Sequence, residues 1–456
     1  MLADESRRSY AASSPGTMLC GAMAMAYLFV VFSRVAELRV LVPLHLGAGL
    51  AGLAAIAALA SGNLGESLTK DTAGRCFLGL TFWMMLSTPF GIWRSGSLNI
   101  LLFLWTYTLA LWVSLSSSIF TEAQFLRAIK VWAVAMVVMC LKTMASGSMV
   151  SGRFTGSAGF FSNPNDLATI LVMTLPVFWL LARIGGRLQS LLWLAATLPL
   201  WYALLRTGSR GGLLGLAAVF AIVFLHAEAP RKVAVLLVAG VLVCGSIFLL
   251  PKQIVRRYAS LTSDAQAEDD GGDDLYASTS TASRKEMARQ AVSETFKQPL
   301  FGVGPGNFKI RSVELFKARG QVPPWTAAHN TLLQMSSENG IPAAILFLII
   351  LVSSFRKVSQ ARRIAGQEFP KLYHAAGYLR ASMVGYCVCA SFGNYAYQIH
   401  LPILAALALG LRRASLYETG RKRDEPAAGG AAAQPAPRQV TWPQRLPSTT
   451  RAIERL

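Results

Sequence analysis

FFSNPNDLATILVMTLPVFWLL, residues 160 to 181, sets a polar knot directly against an apolar run. The knot has the chemistry of a helix start. Asn163 is a good N-cap, Pro164 suits the first helical position, and Asp166 can return a hydrogen bond as in a capping box. The run behind it, to about residue 184, is close to the ~20 residues an α-helix needs to cross a bilayer. A capped, membrane-length helix here decides the fold class, because runs of the same kind recur along the chain.

The whole sequence has 456 residues, of which 53% are hydrophobic and only 14% charged. Soluble domains carry about 25% charged residues. The reading is an all-α polytopic membrane protein with about twelve transmembrane helices. The spans lie near 17–33, 40–61, 74–92, 97–119, 125–145, 166–184, 188–205, 211–226, 232–250, 331–355, 373–393 and 397–412. Those near 40–61, 211–226 and 232–250 are rich in Ala, Gly and Val, which favours close helix packing in lipid. The six cysteines all sit within or beside apolar runs, so neither a disulfide-stapled ectodomain nor a CxxC zinc site is expected. The first span is read as retained, since more spans follow at once and no A-x-A site stands out.

The formal charge is +20. Nucleic acid is not its expected partner, because the basic residues are spread over short connections, one long loop and the tail. With residues 1–16 as a cytoplasmic N-terminal segment, Arg183/Arg187, Arg231/Lys232, Arg356/Lys357/Arg362/Arg363 and Arg412/Arg413 all face inward, satisfying the positive-inside rule. Helices one to nine then occupy 17–250, and a large outer loop 251–330. Helices ten to twelve occupy 331–412, and 413–456 is a disordered cytoplasmic tail that can touch anionic lipid. Within the loop, Ser263 to Ser283 reads as flexible. Arg284 to Gln298 reads as an amphipathic helix with Met287, Ala291, Val292 and Phe296 to one side, and Pro299 to Phe308 as turns that pack the loop onto the bundle. Its G-x-G has no strand–helix context for a dinucleotide.

Several polar residues stand out against this background. The short outward connections carry Arg34, Arg39, Arg94, Arg153, Arg206 and Arg210, against the usual charge bias. Arginine offers a planar fork suited to phosphate oxygens, although interfacial snorkelling is the ordinary role of such residues. Arg210 lies in RTGSRGGLLGL, where Ser209 can cap the next helix, Gly211 and Gly212 allow close approach, and a helix N-terminus adds positive field. Arg284 follows Ser283, which with Glu286 makes an S-x-x-E capping box. A cation at that first position either binds an anion or is simply tolerated. His329, beside Asn330 where the loop re-enters the membrane, is either structural or a proton-transfer group. Glu338, some two turns into the span, is ionisable at membrane depth, and such residues are costly and often functional. No metal and no cofactor is implied.

The ordered set GRFTG, FSNPNDLA, SRGGLLG, PLFGVGPGNF and AHNTLLQMSSENG, over about residues 150–355, resembles the O-antigen ligase/O-antigen polymerase superfamily of bacterial envelope proteins. That resemblance implies a GT-C-like membrane glycosyltransferase in the bacterial inner membrane, its active site facing the periplasm. The large loop, with its short helices, would be periplasmic. The implied donor is an undecaprenyl-pyrophosphate-linked glycan. The acceptor is a lipid A–core sugar for a ligase, or another carrier-linked repeat or exopolysaccharide chain for a polymerase. The reaction would be inverting and metal-independent. The family's essential arginines map to Arg210 and Arg284 and its histidine to His329, with Arg153, Arg206, Asn330 and Glu338 as further substrate contacts. Asn163 and Asn165 are at most a sugar-contacting rim, since Asp166 already occupies the favourable field of its helix end. A second expectation is an anion transporter of bicarbonate type, disfavoured because no chain of intramembrane acids and no internal repeat appears.

Overall fold

The computed structural model describes residues 14–146, 149–150, 152–156, 161–227, 232–233, 237, 240, 250–259, 273–321 and 327–431. Its elements are helices apart from a short antiparallel pair, β1 (Met149–Val150) with β2 (Arg153–Phe154). The helices are α1 (Pro15–Ser33), α2 (Leu46–Ala60), α3 (Thr72–Ser87), α4 (Arg94–Ser118), α5 (Glu122–Ser146) and α6 (Pro164–Ile184). They continue with α7 (Arg187–Ala195), α8 (Leu198–Arg206), α9 (Arg210–His226), α10 (Lys252–Ala259), α11 (Asp273–Lys297) and α12 (Phe308–Ala318). The chain then forms α13 (Thr331–Ala365), α14 (Pro370–Ala390) and α15 (His400–Ala431). Among the described residues, 7 helices are long and apolar enough to cross a membrane. The chain is an all-α membrane protein.

The capped helix of the opening stretch is the centre of the bundle. The Asn163 side chain accepts from Asn165 N, Pro164 holds the first turn, and 78% of the most apolar window of α6 is buried. The bond expected from Asp166 back to Asn163 is absent among the described residues. Helices α9 and α14 approach α6 through small residues. A Cβ on Gly215 would lie 2.4 Å from Cys389 Sγ, and one on Gly385 would lie 2.9 Å from Val172 Cγ1. Lipid offers no hydrophobic drive between helices, so such close backbone contact is what holds them.

Several expected boundaries move. The stretch near 188–205 is one of these 7 candidate spans, Arg187–Arg206, but it is built of α7 and α8, each 9 residues, with a turn at Ala196–Thr197 ahead of Pro199. Most of 232–250 lies outside the described residues. The last helix does not stop at 412 but runs to Ala431, because Ala414, Ser415 and Glu418 continue its buried face. Residues 432–456 lie outside the described residues.

The amphipathic loop helix exists but begins ten residues earlier than Ser283, at Asp273. Ser283 is therefore no N-cap, and Arg284 sits mid-helix. Of the expected apolar face Met287 and Ala291 are buried, whereas Val292 and Phe296 are exposed; Glu294 and Thr295 are buried in their place. Glu294 takes Arg311 Nε at 2.9 Å and Lys297 Nζ at 2.9 Å, and these partners hold its carboxyl below the usual range despite partial burial. The part of Ser263–Ser283 before residue 273 lies outside the described residues.

Helix α13 is two helices joined at Gly340, whose φ of 83° breaks the ladder ahead of Pro342. Segment 299–308 docks into that break, as its turns led one to expect. Ile341 N donates to Pro299 O at 2.7 Å, Val303 N to Ser337 O at 2.9 Å and Gly304 N to Glu338 O at 2.8 Å. Phe301 stacks on Trp83 and Phe90, with ring centroids 5.3 and 4.6 Å apart. A Cβ at Gly340 would lie 1.9 Å from Leu300 O, on a positive-φ backbone that residues with a Cβ rarely adopt. Gly340→Ala should therefore destabilise the protein by roughly 3 kcal/mol or more. Thermal unfolding in detergent measures this, and a curve superimposable on wild type would mean that the loop does not depend on the break.

Candidate functional site

Helices α6, α9 and α13 all begin at one end of the bundle, and the chemistry collects there. The start of α9 is fixed by Ser209, whose Oγ accepts from Gly212 N at 3.2 Å and donates to Asn165 Oδ1 at 2.9 Å. The same Asn165 oxygen accepts from Arg153 Nη2 at 2.9 Å, and Arg153 Nε donates to Thr207 O at 2.7 Å. Asn165 thus joins the first turn of α6, the end of the β pair and the turn into α9. It sets the place of Arg210, the half-buried first residue of α9.

The start of α13 is fixed by Asn330, whose Oδ1 accepts from Leu332 N and Leu333 N, both at 3.0 Å. Asn330 is therefore a helix cap; its amide reaches Ser391 O at 3.4 Å. His329 precedes it in the left-handed region, φ 51°, uncommon and costly for a residue with a Cβ. Its backbone N–H donates to Asn394 Oδ1 at 2.9 Å, and Thr331 Oγ1 donates to Gly393 O at 2.9 Å. The connection from α14 to α15 thereby over-determines the conformation.

Between these anchors lies a cavity of about 460 Å³, lined by Asn163, Asn165, Asp166, Lys309, His329, Gln334, Glu338 and the 392–398 connection. Ile100 and Leu104 close another side from a wide π-type turn in α4, Ile100–Trp105. Burial lowers the His329 pKa to about 4, helped by the positive charges of Arg284 and Lys309. The imidazole is therefore neutral at pH 7, a hydrogen-bond acceptor on one nitrogen and a donor on the other.

Among the expected site residues, the cavity brings together His329, Asn163, Asn165 and Glu338, and Arg284 acts on His329 through its charge. Arg153 stands behind Asn165. Arg206 is turned elsewhere, its Nη2 3.9 Å from Met149 Sδ and its guanidinium over the Tyr202 ring. Glu338 reaches the cavity, but its carboxylate is taken up by the protein. It accepts from Tyr397 OH at 2.6 Å, Gly306 N at 3.0 Å, Phe308 N at 3.3 Å and Gln334 Nε2 at 3.4 Å. Its work is to hold segment 299–308 and the start of α12 against α13.

Lys309, Asp166, Gln334, Asn394 and Tyr397 were missed from sequence. Lys309 had a usable signal: it stands in the first turn of a helix, where the dipole disfavours a cation, so its presence calls for an anion. Among the described residues, no group of three or more His, Cys, Asp or Glu side chains could hold a metal ion.

Asn165→Ala should lower stability by about 1–3 kcal/mol, since Arg153 and Ser209 both lose their acceptor. Asn165→Asp, which can accept the same bonds, should restore it. Thermal unfolding of the purified variants tests the point, and an Ala variant as stable as wild type would remove Asn165 from the role of joint.

Residues 191–348 match the family model described as O-antigen ligase. A search of curated proteins finds no match. The matched stretch runs from α7 into α13 and includes Arg206, Arg210, Arg284, His329, Asn330 and Glu338, but not Arg153, Asn163 or Asn165. With helices of membrane length around a polar cavity at their convergent starts, the O-antigen ligase match over residues 191–348 supports membership of the O-antigen ligase superfamily and, broadly, an O-antigen ligase/polymerase-type membrane glycosyltransferase.

Proposed function

We propose that the protein transfers a glycan from an undecaprenyl-pyrophosphate carrier to an acceptor hydroxyl, a lipid A–core sugar in the ligase reading, at the periplasmic face of the bacterial inner membrane. On this reading the spans number twelve and segment 251–330 is periplasmic. The observation that carries the proposal is the neutral His329 imidazole in a cavity of about 460 Å³ under the charges of Arg284 and Lys309.

The chemistry follows from that grouping. The acceptor oxygen attacks the anomeric carbon as the bond from that carbon to the pyrophosphate oxygen breaks, and the electron pair leaves with the pyrophosphate. Arg210, at a helix N-terminus, and Arg284 stabilise the charge growing on the leaving group. A ring nitrogen of His329 accepts the hydroxyl proton. A single displacement inverts the anomeric centre. Asn163 and Asn165 present amides to sugar hydroxyls at the rim, and the apolar helix faces accommodate the prenyl chain.

Removing either arginine should cost about 100- to 1000-fold in transfer rate. A reconstituted assay with carrier-linked glycan and acceptor measures it, with gel filtration reporting folding. Full activity in both Arg210→Ala and Arg284→Ala would sink the mechanism, and a product with the donor configuration retained would sink the single displacement. Deletion of the protein from its host separates the acceptors: a ligase leaves carrier-linked polymer unattached to lipid A, and a polymerase leaves single-repeat caps.

The pH dependence carries a sign. The free enzyme holds His329 near 4, in part through Arg284 and Lys309. A bound pyrophosphate offsets those cations, so the His329 pKa rises in the donor complex. The acid limb of kcat, which reports the complex, should therefore lie at higher pH than that of kcat/KM, which reports the free enzyme. Coincident limbs, or the reverse order, would remove His329 from contact with the donor charge.

A further inference from the structure

At the opposite end of the bundle, where α6, α9 and α13 finish and α14 begins, lies a second cavity of about 540 Å³. Its basic lining is Arg183, His226, Arg362 and His374, and no carboxylate lines it among the described residues. Charge compensation for helix C-termini accounts for basic residues in last turns. It does not account for their facing a common space of this size, joined by His374 from the first turns of a different helix. The neighbouring surface shows the contrast. A cavity around Glu122, Arg127, Lys130, Lys371, Glu418 and Arg421 is also basic, but it includes two carboxylates that pair with two of its cations, Lys371 Nζ 3.1 Å from Glu122 and Arg421 Nη2 3.4 Å from Glu418.

One of the cations at the second cavity is also held in position. Arg362 lies 4.6 Å above the Tyr373 ring and donates one arm of its fork to Tyr373 OH at 2.8 Å. Arg362 and Arg183 are both half-buried, where a charge interacts more strongly with a ligand than it would in open water. Helix α14 opens here without a side-chain cap, so its first amides add positive field. Gly377, one turn further on, has nothing within 4 Å of where its Cβ would stand and leaves the floor of the cavity open. From α9, Ile222 and Val223 line the same cavity and give an acyl chain an apolar wall.

We infer that this cavity is a binding site for the phosphate head group of an anionic lipid, at the membrane face opposite the candidate active site. Arg183 and Arg362 take the phosphate oxygens, and the apolar flank of α9 takes the chain. The inference stands independently of the proposed transfer reaction.

The test uses the full chain purified in neutral detergent and titrated with dioctanoyl phosphatidic acid, dioctanoyl phosphatidylcholine or inorganic phosphate, read by microscale thermophoresis. Saturable binding of the phosphatidic acid is expected, with phosphatidylcholine and inorganic phosphate at least tenfold weaker. Arg183→Gln with Arg362→Gln should weaken it tenfold or more. Gly377→Leu should do the same while leaving every charge in place, and it adds a better helix former where there is room, so its fold is secure. Unchanged phosphatidic acid binding in Gly377→Leu, or equal binding of phosphatidylcholine, overturns the site. Inorganic phosphate binding as tightly as the lipid would make it a free-phosphate site and overturn the lipid assignment.

Discussion

The Glu338 carboxylate is the joint on which the candidate site rests. It lies in the short first half of a broken helix, fully surrounded, and accepts from backbone amides of Gly306 and Phe308, from Tyr397 OH and from the Gln334 amide. An unpaired buried carboxylate would be very costly, so each of these donors is needed where it is. Their positions fix segment 299–308, the start of α12 and the connection into α15 relative to one another. Lys309 follows Phe308 directly, and Asn394 and Tyr397 belong to the same connection. The cavity wall is thus assembled by a single acceptor that satisfies donors from distant parts of the chain.

A second joint works at the opposite wall. Asn165 is short, neutral and placed in the first turn of the most buried helix, so its oxygen can accept from Arg153 and Ser209 at once. Ser209 in turn caps the helix that begins with Arg210. The order of dependence runs from a central helix start to an amide, to a hydroxyl, to the orientation of a helix N-terminus. Asn165 therefore serves the site twice, by lining the cavity and by setting the wall behind it. This is why the polar knot of the opening sequence is both a cap and a component of the site.

Two helix starts were legible because capping is local: Asn163 and Ser209 each satisfy an amide within three residues, and the sequence shows those residues side by side, whereas Asn330, which caps α13 in the same way, was read only as a substrate contact. The packing of α9 was legible from its glycines. The break at Gly340 was signalled by NGIP, a glycine with a proline two residues on, and was passed over because the hydropathy on either side reads as one span. Glu338 was recognised as expensive, but of its partners only Gln334 is local; the others are some 30 and 60 residues away, and nothing in the nearby sequence names them. Arg284 was misplaced because the helix reaches back to Asp273 through Ser and Thr residues of modest propensity, which gave no signal of a helix before Ser283. The connection at 391–399 was read only as the gap between two spans, so Asn394 stayed invisible until the start of α13 was seen to lean on it.

The backbone of His329 binds these threads together. A left-handed residue with a Cβ costs of order 1–3 kcal/mol and persists only where its surroundings over-determine it. Here Asn394 takes its N–H, Asn330 caps the helix immediately after it, and Thr331 ties that helix to Gly393. An extended or helical His329 would swing the imidazole out of the polar cavity or break the cap at Asn330. The strain is thus what allows a capped helix start and an inward-facing imidazole at adjacent positions. The same placement buries the ring under Arg284 and Lys309 and keeps it neutral. Backbone strain, helix capping and the depressed basicity of the ring are consequences of one packing solution, and none of them could be altered without moving the others.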